Sequence, residues 1–170
     1  MTDHGRVLVD NDRAVLSFER RLAFPVEAVW AALTDGDQRA RWFGPTSIEP
    51  REGGLIDMVP DGPPLPPDGK RMTGRILVWD PPHVLEHEWR QPIVEDGVVR
   101  YELRPDGPDG TGTLLRFTHR GLGRRNASGF RGGTHAYLDR LESFLAGEPP
   151  PDWLARRQQI DQTLKEGESL

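Results

Sequence analysis

The chain of 170 residues contains no cysteine, and this absence removes several kinds of chemistry. Disulfide bonds, thiol nucleophiles and thiolate metal ligands are all excluded. Long apolar runs are also missing, because no segment approaches the roughly 20 apolar residues of a membrane-spanning helix. The first residues are polar and acidic, which is not the pattern of a secretory signal. We therefore expect a cytoplasmic protein that does not insert into membranes.

A surplus of positive charge is lacking as well. The formal net charge is -5, and the paired arginines are isolated rather than gathered into a basic stripe. Binding to a phosphate backbone depends on such a stripe, so no nucleic-acid partner is expected. The sequence has no HExxH, no GxSxG and no complete P-loop. We expect no metal, no cofactor and no identifiable catalytic residue, which leaves an enzyme as the less favoured alternative.

The middle of the chain alternates apolar and polar residues, and this pattern predicts β-strands. In the first such segment, residues 13–24, Leu16, Phe18 and Leu22 share one face. Further segments with the same pattern are residues 54–60, 70–80, 83–91, 98–105 and 111–122. Strands that are joined by short turns predict an antiparallel sheet with one covered face.

Helical patterns flank these strands. Pro25 opens one short helix, and a second runs from Gln38 to Phe43 before Gly44 ends it. The longest helix is predicted for residues 134–147, which carry a continuous apolar stripe. An antiparallel sheet with separate helices gives an α+β fold in which the long helix covers the sheet.

Three further segments are predicted to lie outside regular strands and helices. Residues 60–69 contain five prolines and two glycines, so we expect a mobile loop on the surface. Residues 121–133 are rich in glycine and are also expected to form a loop. The prolines at 149–151 form a stiff linker. Beyond them we expect the tail, residues 152–170, to add at most a short helix and to lie outside the central fold.

Four polar side chains fall on the predicted inner faces of the strands: Arg20, His87, Tyr101 and His119. Burial without a partner would cost each about 1–3 kcal/mol, and more for the arginine. A hydrated or ligand-filled cavity tolerates such a set better than a dry core does. One inward histidine alone is usually an ordinary core residue, and a single bulge would reverse an assignment. Because the same alternation places nearby glutamates outside, the expected partner of Arg20 is a ligand or water.

Aromatic residues supply the walls of the expected cavity. Trp42 and Phe43 stand together in RWFGP (41–45), where they either close a pocket or pack the short helices onto the sheet. Trp89 and Phe117 join them from the predicted inner faces of two strands.

A resemblance to a known superfamily rests on five segments: FPVEAVWAALTD (24–35), RWFGP (41–45), GRILVWDPPHVLEHEW (74–89), GTLLRFTHRGL (112–122) and HAYLDRLESFLAG (135–147). Together they resemble the START-like, Bet v 1-like (SRPBCC) superfamily, and within it the activator of heat-shock-protein-90 ATPase homologue-like proteins. The resemblance implies a helix-grip fold, in which a curved antiparallel sheet wraps around the long C-terminal helix. Two short helices follow the first strand.

The resemblance also implies a domain boundary and a function. The domain would span residues 13–147, with an N-terminal extension at 1–12 and a C-terminal tail at 148–170. Members bind lipids, hormones or polyketides, and some are cyclases or hydrolases. A small apolar or amphipathic ligand is therefore expected between sheet and helix. Its binding residues would be Arg20, Trp42, Phe43, His87, Trp89, Tyr101, Phe117 and His119.

Two other functions stay open. An enzyme on the same fold would use a histidine or arginine in the cavity for acid/base chemistry, and an inward histidine with a strongly shifted pKa would favour it. A chaperone-interacting domain is a weaker alternative, because the chain is too short for the additional N-terminal domain of the eukaryotic co-chaperone. A homodimer is also left open.

Overall fold

Eight strands form one curved antiparallel sheet in the computed structural model, which describes residues 3–168. In chain order they are β1 (Arg6–Asp10), β2 (Arg13–Leu22), β3 (Thr46–Ile48), β4 (Leu55–Met58), β5 (Met72–Asp80), β6 (Val84–Trp89), β7 (Gly97–Asp106) and β8 (Gly112–Gly123). Their spatial order is β1-β2-β8-β7-β6-β5-β4-β3. The predicted α+β helix-grip architecture is confirmed.

The helices within the described residues are α1 (Val26–Thr34), α2 (Gly36–Trp42), α3 (Pro67–Lys70), α4 (Arg124–Leu145) and α5 (Trp153–Glu168). Asp35 caps α2, because its side chain accepts hydrogen bonds from the backbone N–H groups of Asp37 and Gln38. None of these helices is long and apolar enough to cross a membrane.

The core lies between the concave face of the sheet and the helices that cover it. Alternate residues of β2 are buried, among them Leu16 and Phe18, as the alternation in the sequence predicts. The indole N–H of Trp42 donates to the carbonyl of Ala32, 2.9 Å away, and this bond joins α2 to α1. Burying one such large apolar side chain contributes about 1.5–3 kcal/mol to stability.

The long helix α4 begins earlier than the sequence predicts. The loop predicted for residues 121–133 is wrong, since the helix starts at Arg124. The glycines that suggested a loop instead make room for α5. A Cβ at Gly132 would lie 2.7 Å from Oδ1 of Asp161, and one at Gly133 would lie 3.1 Å from the Trp153 ring. Their missing side chains permit the close approach of the two helices.

The tail does not lie outside the central fold in its described part, so that prediction is wrong. Trp153 and Ile160 of α5 are buried against α4. The indole N–H of Trp153 donates to the carbonyl of Gly133 at 3.1 Å. Arg140 holds the linker through the carbonyl of Pro151 at 2.9 Å. Residues 1–2 of the predicted extension and 169–170 of the tail lie outside the described residues.

Two other segments carry more structure than their sequences indicate. Residues 6–10 of the N-terminal extension form β1, which pairs with β2 along its whole length. In the proline-rich segment, residues 64–68 are exposed as expected, but Pro67–Lys70 forms α3. The backbone N–H of Gly62 donates to the hydroxyl of Tyr137 at 2.9 Å. The mobility of this segment stays a prediction.

Candidate functional site

A cavity of about 250 Å³ lies between the sheet and α4. Residues from β6, β7 and β8 form its floor, the end of α2 forms one side, and α4 and α5 form the roof. Near its mouth, Leu65 and Ile93 line the cavity while they remain exposed to solvent. The cavity is thus a partly open chamber under the long helix, where the helix-grip resemblance implies one.

Six of the eight residues predicted to bind a ligand line this cavity: Trp42, Phe43, Trp89, Tyr101, Phe117 and His119. Their rings pack against one another, with centroid distances of 5.2 Å for the pair Tyr101–Phe117 and for the pair Trp89–His119. The alternation in three strands and the RWFGP segment therefore converge on one aromatic wall.

His119 is the polar group of this wall that lacks a partner. Its side chain is about 1% exposed, and among the described residues nothing forms a hydrogen bond with its Nε2. The rings of Trp89 and Phe130 flank it at 5.2 and 5.3 Å. Burial, with a smaller contribution from His87, lowers the pKa of His119 to about 3. The imidazole is therefore neutral at physiological pH.

His87 lies behind the wall rather than in it. It is buried and stacks on Trp89 at 6.2 Å, but it is not among the residues that line the cavity. Its Nδ1 lies 2.9 Å from the carbonyl of Glu88, so Nδ1 carries the proton and donates. Burial lowers the pKa of His87 to about 4. Because it lies behind the residues that line the cavity, His87 is not placed to contact a ligand directly.

Arg20 is buried as predicted, but the expected nature of its partner is wrong. Its Nη1 lies 2.6 Å from Oδ1 of Asp139 on α4, and its Nη2 lies 3.2 Å from Nδ1 of His135. Asp139 also contacts Arg156 at 2.7 Å and His135 at 3.2 Å. The alternation of the strands placed the nearby glutamates of the sheet on its outer face. The acid that pairs with Arg20 comes instead from the helix α4. Arg20 is also not among the residues that line the cavity.

The charges around Asp139 fix its protonation state. Burial alone would raise the pKa of Asp139, but its contacts with His135, Arg20 and Arg156 lower it well below the usual value. The carboxylate therefore stays ionised at neutral pH. We call Arg20, His135, Asp139 and Arg156 the buried ion cluster.

Arg39 is a buried residue that the sequence analysis missed. Its Nη1 donates to the carbonyl of Leu33 at 3.0 Å, and its Nη2 donates to the hydroxyl of Tyr101 at 3.2 Å. The guanidinium also lies 4.8 Å from the ring of Trp42 and 4.7 Å from that of Phe43. Arg39 precedes these rings by three and four residues, the spacing at which helical side chains meet. That spacing is the signal that could have found it.

The roof of the cavity also went unpredicted. Phe130 and Tyr137 of α4 and Trp153 and Arg157 of α5 line it. Phe130 was missed because its segment was interpreted as a loop, and α5 because the tail was placed outside the fold. Burial raises the pKa of Tyr137, whose hydroxyl accepts the hydrogen bond from Gly62.

The sequence of the chain matches one known protein family. The family model for activator of Hsp90 ATPase homolog 1-like proteins matches residues 23–146, which run from before α1 to the end of α4. The chain belongs to this family. The recognition made from the sequence is confirmed, and family and fold are consistent with a START-like ligand-binding domain. No curated protein matches the chain significantly.

Solved structures from several bacteria share the fold. CalU16 from Micromonospora echinospora is 24% identical with a TM-score of 0.71, over 95% of this chain and 93% of that one. A protein from Bordetella parapertussis is 28% identical with a TM-score of 0.66, over 92% and 86%. A protein from Rhodobacter sphaeroides is 26% identical with a TM-score of 0.66, over 84% and 98%. The helix α5 lies beyond the residues that the family model matches.

The lining of the cavity is mostly aromatic and apolar. Along its wall, within the described residues, there is no aspartate or glutamate, so His119 lacks the acid that orients a catalytic histidine. No cluster of three metal-ligating side chains occurs in the described part of the chain. What remains is an aromatic chamber with one neutral imidazole in its wall and one cation, Arg157, in its roof.

Proposed function

We propose that this member of the family binds a small, largely apolar ligand in the cavity between the sheet and α4. The observation that carries the proposal is the cavity itself, about 250 Å³ in volume and lined mostly by aromatic and apolar side chains. Cavities of this composition are typical of ligand-binding sites. The buried imidazole of His119 is part of the lining.

The shape and composition of the cavity support the same proposal. Binding pockets are mostly apolar and contain a few convergent polar groups, and their volumes begin at about 300 Å³. The cavity, at about 250 Å³, suits a molecule of two or three fused or linked rings rather than a long lipid. Trp42, Phe43 and Trp89 are among the aromatic side chains against which such a molecule would pack.

The strongly lowered pKa of His119 is the one observation that favours the enzyme alternative. Perturbed histidines mark catalytic sites in many proteins. A pKa of about 3, however, makes the imidazole a weak base at neutral pH, and no protein acid lines the cavity within the described residues. An efficient general base has a pKa near the working pH. Binding is therefore the better-supported function.

The direct test uses one probe and two substitutions at Thr134, which lines the roof on α4. The uncharged dye N-phenylnaphthylamine is titrated into the protein and its fluorescence is recorded. Thr134→Trp fills the cavity with an indole and is expected to weaken binding more than tenfold. Thr134→Val has nearly the same volume and loses only the hydroxyl, so it is the size-matched control, expected to bind within about twofold of the natural protein.

Native mass spectrometry of freshly purified protein provides the second arm. A co-purified molecule of a few hundred daltons, absent from Thr134→Trp, would support the proposal and identify the ligand. Dye binding that is unaffected by Thr134→Trp, in a protein with an unchanged circular dichroism spectrum, would place the dye elsewhere and contradict it.

A further inference from the structure

The lining of the cavity is unbalanced in charge. The chain as a whole is acidic, with 27 acidic and 22 basic residues besides its histidines. Among the described residues that line the cavity there is no acid, and the one residue with a permanent charge is Arg157. A cation that borders an apolar chamber raises the local preference for a negative group.

Arg157 is held at the mouth of the chamber by three neighbours. Its Nη2 donates to the carbonyl of Gly129 at 3.1 Å, and its guanidinium lies 5.4 Å from the ring of Trp153. Its Nε lies 3.7 Å from a carboxylate oxygen of Asp161, farther than a hydrogen bond reaches. Nη1 forms no hydrogen bond with any described residue. The side chain is thus oriented while part of its donor capacity stays unused.

The other polar side chains at the mouth are neutral and already engaged. Gln91 accepts from the indole N–H of Trp89 at 3.0 Å and donates to the carbonyl of Lys70 at 2.8 Å. Asn126 donates to the carboxylate of Glu95 at 3.0 Å. Glu95 in turn accepts from the backbone N–H of Gly123 at 2.6 Å, so its charge is directed to the junction of β8 and α4. Arg157 is left as the group at the mouth that can take an anion.

We propose that the ligand is an amphipathic anion: its apolar rings occupy the chamber, and its carboxylate or sulfonate group pairs with Arg157. This inference rests on the proposed function and adds the chemical class of the ligand to it. Arginine forms charge-assisted hydrogen bonds with such groups, which are stronger than neutral ones. Arg157 and Trp153 belong to α5, outside the residues that the family model matches.

A pair of dyes with one ring system separates the two proposals. N-phenylnaphthylamine is uncharged, and anilinonaphthalene sulfonate is the same ring system with a sulfonate added. The natural protein is expected to bind both at one site and to bind the sulfonate more tightly. Since the side chain of Arg157 is about one third exposed, we expect a preference of roughly five- to tenfold. Raising the salt concentration should reduce this preference.

Three substitutions locate the source of the preference. Arg157→Gln removes the charge and should weaken binding of the sulfonate about fivefold more than it weakens binding of the uncharged dye. Arg157→Lys keeps the charge and should retain most of the preference. Asp161→Asn removes the competing carboxylate and should tighten only the sulfonate. Melting temperatures of all variants confirm that α5 stays docked through Trp153.

The outcomes are distinct. If neither dye binds, the proposed function fails. If both bind but Arg157→Gln weakens both equally or neither, the ligand is apolar without a paired anion and the inference is overturned. If Arg157→Gln disturbs the fold, Asp161→Asn and the salt dependence serve as the test instead. The inference is then overturned if neither Asp161→Asn nor added salt changes the affinity for the sulfonate selectively.

Discussion

The two sides of α4 treat inward-facing polar residues in opposite ways. On one side, Arg20 meets His135 and Asp139 of the helix, and its charge is neutralised within the protein. On the other side, His119 meets aromatic rings and a cavity, and its Nε2 stays unpaired. The sequence predicts both residues by the same alternation of their strands. The contacts made by the helix above them decide which residue is paired within the structure and which borders the cavity.

This difference separates two explanations for buried polarity. A buried charge with good partners specifies the position of the helix, and breaking its pairs is costly. On the other side, aromatic side chains line the cavity in which we propose that a ligand binds. Substitutions on the two sides of α4 should therefore have opposite signatures: loss of stability on one side, loss of ligand affinity on the other.

The largest effect is expected at Asp139. Asp139→Asn keeps the shape of the side chain but leaves Arg156 without its counter-charge and Arg20 with only the half-exposed Glu142 at 4.0 Å, so stability should fall by about 3 kcal/mol or more. Urea denaturation measures this loss. Arg20→Leu removes the buried charge itself while Asp139 keeps Arg156, so it should cost less, roughly 1–2 kcal/mol. A loss below 1 kcal/mol for Asp139→Asn would show that the buried ion cluster does not hold the fold.

Removal of α5 should have the next largest effect. A chain that ends after Pro151 loses the buried side chains of Trp153 and Ile160 and part of the cavity roof. After the entropy of ordering the helix is subtracted, we expect about 2 kcal/mol of lost stability. For a domain of this size that lowers the melting temperature by about 4–8 °C. An unchanged melting temperature would mean that α5 contributes nothing to the folded state.

Acidification should then distinguish His119 from an exposed histidine. The pKa values of His119 and His87, about 3 and about 4, lie below the ordinary value of 6.5. As the pH falls below 6.5 the unfolded chain takes up protons first. The stabilisation by the neutral imidazoles is complete above pH 6.5 and declines toward pH 4.

Replacing His119 measures how much of the loss of stability at low pH comes from this one histidine. His119→Phe should reduce the slope of stability against pH between 6.5 and 5 by on the order of 1 kcal/mol per pH unit. Denaturation at several pH values measures the slope. His83 is exposed, and His83→Gln is the matched control for the loss of a histidine from the surface. Equal slopes for His119→Phe and the natural protein would contradict the burial of a neutral imidazole.

The smallest effect is expected at Glu19, which precedes Arg20 and faces the other way. Its carboxylate lies 3.1 Å from Nε of Arg116 on the outer face, and both side chains are about half exposed. Exposed pairs contribute little because water and salt screen them, so Glu19→Gln should change stability by no more than about 0.5 kcal/mol. If Glu19→Gln destabilised the protein as much as Asp139→Asn, the expected difference between the buried and the exposed face of β2 would be wrong.

The sequence predicts the inner faces of the sheet well and the contacts across the layers poorly. Alternation has a period of two, so it assigned Tyr101, Phe117 and His119 to the cavity side without knowledge of the fold. The partner of Arg20 could not be found this way, because Asp139 lies more than a hundred residues away on a helix. Local patterns carry no information about which helix face meets which strand.

Glycine and arginine misled the interpretation for a different reason. Glycine favours loops, but Gly132 and Gly133 stand inside α4 because α5 packs closely there. Arg39 sits in a charged segment that resembles a solvated helix face, yet it is buried beneath the rings of Trp42 and Phe43. In both cases the tertiary contact outweighs the usual preference of the residue.

The comparison between the two sides of α4 is tested most directly by nuclear magnetic resonance of isotope-labelled histidines. The protein is saturated with N-phenylnaphthylamine, and the imidazole resonances of His119 and His135 are followed. The account predicts a large shift for His119, which borders the cavity, and little change for His135 within the buried ion cluster. A bound dye that leaves His119 unchanged, or that shifts His135 instead, would contradict the proposal that the cavity beside His119 is the ligand site.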